Sequence, residues 1–171
     1  MPPLYVSEAV WQVCEQLAQT LVARHETLAT AESCTGGLIA ATCTAISGSS
    51  LWLEQGFVTY SNGAKTQQLG VPPELIAQHG AVSEAVALAM AQGALAHSEA
   101  HWSVAVTGVA GPTGGSADKP VGTVWLAWAG RQTPPRAELR HFRGDRAAVR
   151  ASTVACALQG LLTRIRTSPL A

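Results

Sequence analysis

Short apolar runs alternate along this chain with longer segments whose apolar residues recur at helical spacing, and that alternation narrows the fold more than any other feature. Leu28–Ala31, Phe57–Tyr60, Trp102–Val106 and Val124–Trp128 have the length and composition of strands. Arg136–Phe142 reads as a further strand, its charges alternating as on a sheet edge. Between them lie helical patterns. Ser7 caps a first helix that carries Val10, Cys14, Leu17 and Leu21 on one face. A second helix runs from Gly37 to Ile46 and ends at Ser47-Gly48-Ser49-Ser50. Ser61-Asn62-Gly63 is a turn, Ala64–Leu69 a helical turn, and Val71-Pro72-Pro73 restarts the chain as a short helix. Ser83 caps an alanine-rich helix through Ala96, and Asp145 opens a final helix to Arg166 with Val154, Leu158, Leu161 and Ile165 on one face. Only the strands between about residues 122 and 142 follow one another directly. The order predicts a three-layer α/β/α domain with a mixed sheet, and 171 residues suit one such domain.

Composition excludes several roles. With 47% hydrophobic and 13% charged residues, the chain can bury a core and is not disordered. The formal net charge is zero and no basic stripe with interleaved aromatics is present, so no nucleic-acid partner is expected. No apolar run approaches the roughly 20 residues of a membrane span, and Met1-Pro2-Pro3-Leu4-Tyr5 does not open an export signal. Cys14, Cys34, Cys43 and Cys156 form no C-x-x-C pair, which fits reduced, buried thiols in a cytoplasm. Neither a metal nor a cofactor is expected, because no Cys/His spacing or carboxylate cluster suggests one.

The chemistry concentrates at Ala31-Glu32-Ser33-Cys34-Thr35-Gly36-Gly37, where a strand turns into a helix. A helix start offers unpaired N–H groups and partial positive charge, so a nucleophile there can have donors beside it for an oxyanion. The same residues also suit a plain N-cap. A serine hydroxyl needs a base. The five histidines lie in no recognisable motif, and Asp118 and Asp145 are the only aspartates available to orient one. Arginine cannot serve, because it stays protonated. Of the two lysines, Lys65 follows the polar cluster Tyr60-Ser61-Asn62 at the end of a strand, whereas Lys119 sits in a loop. Lys65 is the candidate base, and Tyr60 is placed to hold the amine or relay a proton. Ser33 and Thr35 are expected to face the site with Cys34 packed inward. A nucleophilic Cys34 stays open, since thiols near helix starts can ionise.

The glycine-rich stretch Gly108–Gly122, with Thr107, Gly108, Ala110 and Gly111 at its start, is long for a connector and is a candidate binding loop. It lacks the spacing of a P-loop or a dinucleotide fingerprint. Arg143 and Arg146 flank the start of the last helix, where a phosphate can bind.

Taken in order, these segments resemble the CinA C-terminal domain family, the nicotinamide-nucleotide amidases. The matching pieces include Ala31–Gly37, Gly48-Ser49-Ser50, Val58-Thr59-Tyr60-Ser61-Asn62, Lys65, His79-Gly80-Ala81-Val82-Ser83, Thr107–Pro112, Lys119–Val124 and Phe142–Arg146, and they span about residues 7 to 165. Gly63 stands where such sequences often have Glu. The resemblance implies hydrolysis of the amide of nicotinamide mononucleotide to nicotinic acid mononucleotide and ammonia, in pyridine-nucleotide recycling. It implies a metal-free serine–lysine mechanism with Ser33 as nucleophile, Lys65 as base, Tyr60 supporting the lysine, and Ser50, Thr107 and Thr35 as polar supports. It further implies the stand-alone form, without the molybdopterin-binding-like domain many members carry. The N–H groups of Thr35, Gly36 and Gly37 would then hold the oxyanion, and Arg143, Arg146 or the Gly108–Gly111 backbone the phosphate, with Asn62 nearby. A homodimer is expected, because small apolar α/β domains often hide a patch by pairing. A nucleotide-binding or partner-binding module without turnover is the competing reading.

Overall fold

A computed structural model describes residues 6–169, so Met1–Tyr5, read above as no export signal, lie outside the described residues. The elements in chain order are α1 (Glu8–Arg24), β1 (Leu28–Glu32), α2 (Leu38–Thr44), a 3-10 turn (Ser49–Leu51), β2 (Leu53–Val58), α3 (Asn62–Leu69), α4 (Pro73–His79), α5 (Glu84–Ala96), β3 (Trp102–Gly108), β4 (Thr123–Gly130), β5 (Thr133–His141) and α6 (Arg146–Thr167). The strands form one sheet in the order β2-β1-β3-β4-β5. β1 runs parallel to β2 and β3, while β4 is antiparallel to both β3 and β5. The mixed sheet follows from connection length. Helices cross over between the parallel strands, whereas two residues join β4 to β5 as a hairpin.

The pleat sorts side chains by size. Leu28, Val104, Val106, Val124, Leu126 and Trp128 face a core shared with Leu17 and Leu21 of α1 and Leu158, Leu161 and Ile165 of α6. On the opposite face lie Ala29, Ala31, Ala105, Ala127 and Ala129, against Val86, Ala87, Met90, Ala91 and Ala94 of α5. The alanine face lets α5 lie close, and Ser103 Oγ donates to Ala91 O at 2.7 Å. Gly93 carries the same closeness to α3, since a Cβ there would stand 2.0 Å from the Leu69 carbonyl oxygen. Helices thus cover both faces in three layers, as the alternating pattern predicts.

The caps agree with the sequence reading. Ser7, Ser83 and Asp145 each accept a hydrogen bond from the first turn of α1, α5 and α6. β2 departs from it, occupying Leu53–Val58 rather than Phe57–Tyr60. Edge position explains the difference. Glu54, Gln55 and Gly56 are exposed and carry no apolar alternation, so the strand leaves little periodic signal. At the other edge β5 begins at Thr133 and admits Pro134 and Pro135 where its register with β4 shifts, a bulge on an edge strand.

No helix among the described residues is long and apolar enough to cross a membrane.

Candidate active site

The carboxyl ends of β1, β2 and β3 converge, which is where parallel sheets carry their sites. Register continues one residue past β1. Ser33 N–H donates to Val106 O at 3.1 Å, and Thr59 N–H donates to Glu32 O at 2.8 Å. Glu32 pairs with Val58 on one side and Val106 on the other. Thr59, Ser33 and Thr107 therefore occupy the same step on three neighbouring strands, and the pleat turns all three hydroxyl side chains toward the α3/α5 layer. The chain then turns through Gly36 and Gly37, at φ +61° and +94°, conformations that a side chain would strain.

Lys65 comes to this row from α3. Ser61 caps that helix by accepting from Ala64 N–H at 3.1 Å, which places Lys65 facing inward at 1% exposure. Its Nζ lies 3.1 Å from Ser33 Oγ, 3.0 Å from Thr59 O and 3.4 Å from Tyr60 O. Burial away from water is the main cause that lowers its pKa below the usual 10.5, and the nearby Cys34 opposes the shift weakly. No carboxylate pairs with it among the three ion pairs of the described residues. The three oxygens can accept from an ammonium's three N–H groups; in the neutral amine the two carbonyls take its two N–H bonds and the Ser33 hydroxyl can donate to the lone pair.

Glu32 shapes the turn from beneath. Its buried carboxylate accepts from Thr35 Oγ1 (2.6 Å), Gly37 N (3.1 Å), Ile39 N (2.9 Å) and Ala40 N (2.9 Å). Gly36 N–H is also taken, by Ser33 O at 3.1 Å. The expected oxyanion donors are thereby corrected. Gly36 and Gly37 are spent on the fold, and Thr35 turns its side chain to Glu32 rather than to the site. The N–H of Thr35 takes no acceptor among the described residues, and that of Cys34 meets only its own thiol.

Cys34 packs into the core beside α6, and burial pushes its pKa up to about 11. A thiol so raised is a poor nucleophile at neutral pH. Cys34→Ala is expected to keep ammonia release within about threefold of wild type, as for a buried small hydrophobe, and iodoacetamide should leave the native protein active. Loss of activity in both tests would return the nucleophile to the thiol.

A cavity of about 640 Å³ lies between the glycine-rich loop and α6, lined by Ala110, Pro112, Val121, Asp145, Arg146 and Arg150 among others. Arg146 donates to Gly111 O and to the Tyr60 hydroxyl, both at 2.9 Å. Arg150 donates to Thr35 O at 2.8 Å. The two arginines that line this cavity thus touch the segments that carry Ser33 and flank Lys65.

The family model for the CinA C-terminal domain matches residues 11–165. The chain belongs to the CinA C-terminal domain family. It is 54% identical over 150 residues to the nicotinamide-nucleotide amidohydrolase PncC of Escherichia coli strain K12, covering 88% of this chain and 91% of that protein. The corresponding PncC of Pseudomonas putida is 54% identical over 155 residues, covering 91% and 96%. The solved structure of the competence/damage inducible protein CihA from Agrobacterium tumefaciens superposes with a TM-score of 0.91 at 42% identity, covering 95% of this chain and 98% of that one.

Within this CinA-type domain, some predicted site residues stand elsewhere. The Tyr60 side chain is 60% exposed and reaches Arg146, so only its backbone carbonyl meets Lys65. Ser50 is exposed on the 3-10 turn at the start of β2, about 20 Å of extended chain from the converging ends. Asn62 is exposed and borders a separate groove with Thr66 and Ile76. Thr107 is buried beside Ser33 but spends its hydroxyl on Ala81 O at 2.9 Å. Gly108 ends β3, Ala110 lines the cavity, and Arg143 is exposed outside its lining. Sequence reasoning missed Glu32, Thr59 and Arg150. An acid directly before a helix start is a readable signal for Glu32. Arg150 is one helical turn after Arg146, on the same face. Thr59 has a buried hydroxyl with no partner among the described residues, and nothing in its sequence context marks it.

Proposed function

We propose that this chain is a nicotinamide-nucleotide amidohydrolase that cleaves the carboxamide of nicotinamide mononucleotide through an acyl-enzyme on Ser33, with Lys65 as the base. The observation that carries the reading is the buried Lys65 amine, held 3.1 Å from the Ser33 hydroxyl by two backbone carbonyls and without a carboxylate partner among the described residues. The PncC names of the relatives support the amide as substrate.

The steps follow from the donors present. Neutral Lys65 takes the Ser33 proton as Oγ attacks the carboxamide carbon. The oxyanion that forms is held by the Cys34 and Thr35 N–H groups, each worth about 3 kcal/mol by analogy with measured oxyanion donors. The Lys65 ammonium then protonates the amide nitrogen, the C–N bond breaks, and ammonia leaves behind a Ser33 ester. Water attacks that ester while Lys65 again accepts a proton. Collapse returns the proton to Ser33 and releases nicotinic acid mononucleotide, which pyridine-nucleotide synthesis can reuse.

The deciding experiment measures ammonia release from nicotinamide mononucleotide with EDTA present, for wild type and Ser33→Ala. Wild-type turnover is expected, with a loss of at least about 10⁴-fold in the variant. Equal turnover by both proteins would remove Ser33 from the chemistry. Absence of turnover in both would overturn the amidase reading.

A further inference from the structure

We infer that Arg150 is the residue by which this site selects a phosphorylated amide, binding the phosphate of the mononucleotide and holding the nucleophile turn at the same time. The inference rests on the amidase reading for its substrate, and on geometry for its residue. The cavity beside α6 has an apolar wall of Ala110, Pro112 and Val121 with two guanidinium groups. Neither group is paired with a carboxylate in any of the three ion pairs of the described residues. Asp145 also lines the cavity, but its Oδ1 is engaged as the α6 cap, accepting from Ala148 N at 2.8 Å. An apolar wall with uncompensated positive charge suits an anion that carries a flat, weakly polar body.

The two arginines are not equivalent. Arg146 is exposed and uses one N–H of each terminal nitrogen, to Gly111 O and to the Tyr60 hydroxyl. Arg150 gives Nη2 to Thr35 O at 2.8 Å, and its Nε is buried without a partner among the described residues. That buried, unpartnered donor sets Arg150 apart, and with its other free N–H groups it can serve a phosphate, which a guanidinium binds through parallel N–H bonds. Thr35 follows Ser33 by two residues within the turn closed by the Gly36 N–H to Ser33 O bond, so Arg150 holds the turn that carries Ser33. The guanidinium lies against the turn: a Cβ at Gly36 would stand in ordinary contact with Arg150 Nη2, at 3.8 Å. A phosphate on Arg150 is thus one hydrogen bond away from the turn that carries the nucleophile.

The test compares nicotinamide mononucleotide with nicotinamide riboside, the same amide without phosphate, in wild type, Arg150→Gln and Arg150→Lys. The ratio of their kcat/KM values is expected to fall about 100-fold in Arg150→Gln, the loss of a charged hydrogen-bond donor. Arg150→Lys should recover part of that ratio. Inorganic phosphate added with the riboside should stimulate wild type and not Arg150→Gln. Parallel losses on both substrates, with the ratio unchanged, would make Arg150 a brace for Thr35 alone and overturn the proposal. Calorimetry on Ser33→Ala separates this from the amidase reading. Tighter binding of mononucleotide than riboside, abolished by adding Arg150→Gln, supports the phosphate site even if wild type releases no ammonia. Equal binding of the two ligands to Ser33→Ala would refute it even if the amide is cleaved.

Discussion

Arginine in place of Lys65 is expected to stop ammonia release, with kcat falling at least about 10⁴-fold, as deep as the loss in Lys65→Ala. The two variants differ in charge and bulk but share one defect. Arginine keeps its proton throughout the working pH range and alanine has none to exchange, so neither can accept the hydroxyl proton. The wild-type pH profile carries the complementary signature. Ammonium Lys65 cannot act as base, so kcat/KM should rise with pH as the proton is lost. Burial places that rise below the 10.5 of an ordinary lysine. Stability should move in the same direction. Between the lowered folded pKa and the ordinary unfolded one, the unfolded chain binds more protons, so raising pH through that window favours the fold. A Lys65→Arg enzyme with near-normal turnover, or a kcat/KM that shows no rise at any pH below 10.5, would refute lysine as the base.

Glu32→Ala is expected to destabilise the protein by about 4 kcal/mol, with a Tm lower by roughly 8–16 °C for a chain of this size. The magnitude comes from what the carboxylate leaves behind. Three backbone N–H groups at the start of α2 and the Thr35 hydroxyl lose their acceptor in a buried site. Each such orphan costs about 1–3 kcal/mol before water or rearrangement relieves part of it. Glu32→Gln should fall between wild type and Ala. Its amide keeps one carbonyl acceptor but turns an NH₂ toward a group that also donates. Thermal unfolding of the three proteins measures the order, and activity should decline with it, because the nucleophile turn rests on those bonds. A Glu32→Ala Tm within about 2 °C of wild type would show that the turn holds itself.

Much of this arrangement is legible along the chain because it rests on local rules. Ser7, Ser83 and Asp145 announce their helices, and the buried runs at Trp102 and Val124 announce their strands, since the periodicity is contained within each segment. The strand-to-helix turn at Ser33 is legible for the same reason. What the sequence withholds is direction. Thr35 looks like a neighbour of the reacting centre until Glu32 is seen beneath it, and the residue that claims its hydroxyl is a polar group read only as part of a motif. Tyr60 follows the same logic, since its backbone and its side chain point to different partners. The distance between Ser33 and Lys65 depends on how β2 leaves the sheet edge, and that strand is too polar to show its span. Ser50 illustrates the converse: closeness in a motif does not survive a parallel strand, which carries its two ends to opposite poles of the sheet.

The Glu32 carboxylate also bears on how catalysis would finish. A bare helix start attracts carboxylates, and the hydrolysis of an amide ends in a carboxylate. Because Glu32 already satisfies Gly37, Ile39 and Ala40, the positive end of α2 is largely neutralised before any ligand arrives. The acid formed on Ser33 would therefore gain no attraction from the α2 start that the amide lacked. Helix α2 should contribute correspondingly little to product inhibition.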